Sequence, residues 1–138
     1  MVATVFTAKT KKISIYSDFK KNLEISPVSS DLTVNKDEDA VKESIKNLIL
    51  TDRGERLMQP NIGGHINAML FENITPGTLK LIEDRVRSTI ELHEPRAELQ
   101  DVVVSSNIDD NVVVVKIVFY IRNVQQPITL DVFLERTR

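Results

Sequence analysis

The sequence of 138 residues has no cysteine and no tryptophan. Without cysteine there is no disulfide to staple the chain, and no thiolate to hold a metal or act as a nucleophile. Aromatic residues make up 5%, too few for platforms on which bases or sugars stack. The two histidines, His65 and His93, fall on different expected elements. No imidazole cluster follows, and we expect no metal and no cofactor. No P-loop, GxGxxG or acidic calcium loop is present, and neither histidine lies near a GxSxG. No run of about 18 apolar residues occurs, so a spanning helix is not expected. The first residues carry Thr and Lys rather than the apolar core of a signal peptide. A formal net charge of −2 makes no case for nucleic acid.

What is present is a soluble composition, 41% hydrophobic and 28% charged, in a length that buries one core. Residues 1–30 read as a polar, basic arm with short extended segments, including alternation at 13–16 and a piece starting at Asp18-Phe19. Leu32-Thr33-Val34 reads as the returning strand. Residues 31–138 read as one α+β domain. Asn35 is placed to cap a first helix, with Glu38 three residues on as in a capping box. Val41, Ile45, Leu48 and Ile49 form its apolar stripe. It should stop near Thr51, with Gly54 as terminator. A short helix is expected at 65–71. Thr75 then caps, with Pro76 at the first position, a helix reaching His93, whose stripe is Leu79, Ile82, Val86 and Ile90. Pro95 ends it.

The rest is β. Residues 97–105 read as a strand bulged near Asp101, 107–111 as a turn, and 112–122 as the central strand with an apolar odd face. Residues 128–135 alternate cleanly, with Ile128, Leu130, Val132 and Leu134 inward and Thr129, Asp131, Phe133 and Glu135 outward. Short connections give an antiparallel three-stranded sheet with the helices on one face.

The segment 50–64, LTDRGERLMQPNIGG, carries Arg53, Glu55 and Arg56 between glycine and proline breaks. It reads as an ordered connector. Glu94-Pro95-Arg96 forms a charged corner in which Pro95 fixes the backbone. Two charges projecting from that corner could meet a partner, with Arg96 making bidentate contacts to a partner carboxylate or to Glu55. The last strand, a terminal edge with Phe133 outward, invites strand addition, although Asp131 and Glu135 also suit charges that block it. A glycosidase would need two carboxyls about 5–9.5 Å apart. Asp52, Glu55, Glu72 and Glu94 are candidates, but nothing in their spacing picks out a pair.

Taken in order, several of these segments resemble the baseplate wedge family of contractile phage tails. They are EDAVK (38–42) with IKNLI (45–49), LTDRGER (50–56), Gln59-Pro60-Asn61, Gly63, LFE (70–72), EPR (94–96), PITL (127–130) and FLER (133–136). This family is often labelled lysozyme-like, and the match covers about residues 31–138. The resemblance implies a structural, non-enzymatic role in the virion tail baseplate, with the chain in host cytoplasm during assembly. The partners it implies are other wedge proteins and sheath subunits, with the tube-proximal baseplate as a further neighbour. It implies six copies per baseplate, and because assembly partners would supply the interfaces, a monomer is expected in isolation. On this reading Glu94, Pro95, Arg96, Arg53, Glu55 and Arg56 face the wedge. Ile128, Thr129, Leu130, Asp131, Val132, Phe133, Leu134 and Glu135 receive sheath strands and so initiate the sheath. A peptidoglycan hydrolase and a small cellular adaptor are the alternatives.

Overall fold

The computed structural model describes residues 14–107, 112–122, 124 and 126–135. The expected turn at 107–111 lies largely outside them, as does Ile13. Two short strands, β1 (Ser17–Phe19) and β2 (Val34–Lys36), pair antiparallel with Asp18 opposite Asn35. The ladder therefore starts after the alternating residues 14–16, and it crosses residue 30. Ile25 and Leu32 form a bridge between the two strands' connecting segments.

Because Asn35 is held in that ladder, it does not cap the first helix, α1 (Glu38–Leu50). Asp37 occupies the cap position at φ 46° without a side-chain cap bond. Its carboxylate instead accepts the backbone N–H groups of Ile15 and Tyr16, at 2.7 and 3.2 Å. Glu38, freed from the capping box, pairs with Lys42 one turn on at 2.6 Å. Helix α1 stops at the extended Thr51, three residues before Gly54. Gly54 (φ 89°) instead serves a turn inside the following loop. The short helix α2 (Ile66–Leu70) turns Ile66 and Leu70 into the core. In α3 (Pro76–His93) the Thr75 hydroxyl accepts the Thr78 N–H at 3.2 Å, with Pro76 at the first position, as the sequence suggests. Lys80–Asp84 and Glu83–Arg87 pair at 3.6 and 4.0 Å.

Strands β3 (Ala97–Asn107), β4 (Val112–Ile121) and β5 (Ile128–Glu135) form an antiparallel sheet in the order β3-β4-β5. The β3–β4 register slips between Leu99 and Asp101, the expected bulge. The β4–β5 register runs unbroken from Val112↔Glu135 to Phe119↔Ile128. Val113, Val115, Ile117, Phe119 and Ile121 of β4 are buried with Ile128, Val132 and Leu134 of β5. They meet Val41, Ile45 and Ile49 of α1 and Ile82, Val86 and Ile90 of α3 in one core. The fold is α+β, with the helices packed against one face of the three-stranded sheet. The other face carries Val103 and Phe133 exposed, with Phe133 opposite Val114.

A charged corner, a hydrogen-bonded loop and a strand edge

The corner at residues 94–96 is an internal lock. Glu94 leaves α3 at φ −125° and ψ 76°, outside the helical region that a following proline disfavours, and its N–H still closes the helix on the Ile90 carbonyl at 2.8 Å. Its side chain turns inward and is 2% exposed. Arg96 Nε donates to Glu94 Oε1 at 2.6 Å, and a second guanidinium nitrogen donates to Oε2 at 2.7 Å. Ser44 Oγ on α1 donates to Oε2 at 2.5 Å. The Arg96 guanidinium also lies over the Tyr16 ring, 5.6 Å from its centroid, a cation–π distance. One buried carboxylate thus joins α1, the end of α3, the start of β3 and the N-terminal segment. Burial raises the Glu94 pKa, but hydrogen bonds from Arg96 and Ser44 and the Arg96 charge outweigh it and hold the carboxyl below its ordinary value.

This corrects the expectation of two charges projecting outward. Glu94 has both oxygens occupied inside the fold and faces no partner. Arg96 pairs with Glu94 and not with Glu55. A buried carboxylate left unpaired costs several kcal/mol, and the nearest guanidinium is two residues away on a proline-fixed turn. Pro95 itself is exposed. Ser44 lies three residues after Val41 and four before Leu48, a polar residue within the apolar stripe. That interruption is the signal for a buried partner.

The loop after α1 is held by nested backbone bonds. The N–H of Gly64 donates to the Thr51 carbonyl at 3.2 Å, that of Gly54 to Pro60 at 3.0 Å, and that of Gln59 to Arg56 at 3.1 Å. Gly63 (φ 119°) passes so close to α1's end that a Cβ there would lie 2.3 Å from the Thr51 carbonyl oxygen. The Glu55 carboxylate accepts the Asp52 N–H at 3.0 Å. Arg53 Nε reaches the Gly63 carbonyl at 3.4 Å. Arg56 borders a recess of about 290 Å³ that also touches Ser44, Asn47, His93 and Asp18, whereas Pro95 lines a separate recess with Glu91, Ala97 and Arg122.

Of the four candidate carboxyls, Glu94 is neutralised, and its pKa moves in the wrong direction for a general acid. Asp52 Oδ2 accepts from Asn67 at 2.9 Å, and Asp52 Oδ1 is buried with no partner among the described residues. Glu55 and Glu72 are exposed. Among the described residues, no three His, Asp or Glu side chains gather to hold a metal ion, and no helix is long and apolar enough to cross a membrane.

The two sheet edges differ. Strand β3 is bulged, and Arg87 of α3 reaches its Asp101 at 3.8 Å. Among the described residues, β5 pairs with β4 alone, in continuous register. Phe133 on its outer face is 64% exposed.

Comparison with known proteins fits this architecture. The baseplate wedge protein gp25 of Enterobacteria phage T4 is 34% identical over 80 residues, covering 58% of this chain and 61% of that protein. The matched part thus falls short of two thirds of its relative's length. A crystal structure of a protein described as a tail lysozyme from Geobacter sulfurreducens superposes with a TM-score of 0.67 at 31% identity, over 73% of this chain and 92% of that one. A chain of the anti-feeding prophage baseplate, six-fold symmetrised, superposes with a TM-score of 0.62 at 25% identity, over 86% of this chain and 83% of that one. The profile described as Baseplate wedge protein gp25 matches residues 35–126, spanning both the loop and the locked corner, and the chain belongs to that baseplate wedge family.

Proposed function

We propose that this chain is a non-enzymatic wedge component of a contractile-tail baseplate that offers the free edge of β5 to the sheath. The observation that carries the proposal is the contrast between the two edges. A bulge disrupts ladder pairing, and β3 has one. Strand β5 presents eight residues in regular geometry, with its inward side chains already anchored in the core. Strand addition draws its affinity from main-chain hydrogen bonds and its specificity from alternate side chains, here the outward Phe133, and a pre-ordered edge saves the cost of ordering it on binding. Asp131, which could act as a blocking charge, lies opposite Lys116 in register, where opposite charges stabilise a sheet pair.

The wedge-facing surface in this reading is formed by the loop and the corner. Pro95, Arg96, Arg53, Glu55 and Arg56 contribute to it, while Glu94 acts behind it by holding Arg96. The six-fold symmetry of the anti-feeding prophage baseplate supports six copies per baseplate. The location that follows is the tail baseplate, reached from the host cytoplasm. The N-terminal segment from residue 14 is tied down where β1 meets β2.

The likeness to a tail lysozyme favours a second reading, a cell-wall hydrolase. It requires a carboxyl poised as a general acid, and Glu94 is spent as a structural anion. The test separates the two. Tails are produced in a host whose own copy of the gene is replaced by wild type, Phe133→Asp, or Asp52→Asn with Glu55→Gln. The assembly reading expects sheathless baseplates from Phe133→Asp and full-length tails from the carboxylate variant. Normal sheaths on folded Phe133→Asp, or cell-wall clearing by purified wild type that the carboxylate variant loses, overturns it.

A further inference from the structure

The tip of the hydrogen-bonded loop carries a feature that neither the charged corner nor the strand edge uses. Leu57 and Met58 are 97% and 95% exposed. They are the two central residues of the turn closed by the Gln59 N–H on the Arg56 carbonyl, inside the wider closure of Gly54 on Pro60. Two large apolar side chains are thus held outward by a frame braced through Gly63 against the end of α1. An ordinary solvent-exposed turn favours Gly, Asn, Asp or Ser at these positions.

Arg53 and Arg56 precede the tip in the loop, together with Asp52 and Glu55. The Glu55 carboxylate is turned back onto the Asp52 N–H. The guanidinium groups of Arg53 and Arg56 have no carboxylate partner among the described residues. An apolar centre with a cationic rim complements an apolar recess rimmed by carboxylates.

We propose that Leu57 and Met58 form a rigid docking knob that enters such a recess on a neighbouring protein of the baseplate, with Arg53 and Arg56 meeting its acidic rim. This rests on the baseplate reading and adds an apolar anchor to the wedge-facing surface that Arg53 and Arg56 already belong to. Because the frame is formed before binding, little ordering cost opposes insertion.

The test uses intact tails from the natural host, with a photoreactive benzophenone amino acid in place of Met58. The cross-linked peptide is identified by mass spectrometry. Occupancy of the chain in purified tails is measured for Leu57→Ala/Met58→Ala and for Arg53→Glu/Arg56→Glu, each checked for wild-type circular dichroism. The knob predicts a cross-link to one apolar segment, flanked by Asp or Glu, in a different baseplate protein. It also predicts at least about a tenfold loss of occupancy in both variants. Cross-linking to a second copy of this chain or to lipid, or unchanged occupancy of the folded alanine variant, overturns it. Absence of the wild-type chain from tails is a different result: there the baseplate reading fails and takes the knob with it.

Discussion

The buried Glu94 carboxylate is held by Arg96 two residues on and by Ser44, which the packing of α1 on α3 brings near from fifty residues away. Glu94→Gln keeps the shape and removes the charge. It should cost about 2 kcal/mol near neutral pH in urea unfolding, since Arg96 loses its counter-charge in a half-buried site. The pH dependence follows from the depressed carboxyl. Its contribution is fully present above the ordinary value of 4.5 and is lost as pH falls through the lower folded value. The stability gap between wild type and Glu94→Gln should therefore close on acidification below about pH 4. A gap that stays constant to pH 2 would contradict the lock. Glycine gives a second contrast at this scale. Gly63→Ala should destabilise by about 2–4 kcal/mol, through both its positive φ and the clash with Thr51. Gly54→Ala, with φ 89° but open space around it, should cost about 1 kcal/mol.

At the scale of elements, periodicity carried most of the fold and tertiary pairing decided the rest. The stripes of α1 and α3 and the odd face of β4 follow from spacing alone, because burial on one face repeats along the element. The start of α1 did not follow, since the β1–β2 ladder claims Asn35 and hands the cap position to Asp37. That ladder depends on contacts across the whole N-terminal segment, which no local window contains. Leu57 and Met58 were read as loop residues, because apolar residues beside Arg and Gln give no periodic signal. Strand β5 combines both kinds of position. Leu134→Ala should lose about 2–4 kcal/mol, because Leu134 is buried. Phe133→Ala, one residue away on the exposed face, should change stability by less than about 0.5 kcal/mol. Paired denaturation curves check this, and equal losses would mean that the outer face of β5 is covered.

For the whole molecule, chemistry and assembly are divided between the inside and the outside. The buried carboxylate, the tightest glycine and the core side chains fix the shape. The exposed features on which the proposals rest are a regular strand edge, an apolar loop tip, and Arg53 and Arg56, which have no carboxylate partner among the described residues. The central claim is that the β5 edge receives a sheath strand, and electron cryomicroscopy of the assembled tail tests it most directly. The account predicts an extended sheath segment running beside β5 at about 4.8 Å, the spacing of hydrogen-bonded strands. A β5 edge left in solvent, or covered by a helix with no strand alongside, would contradict it.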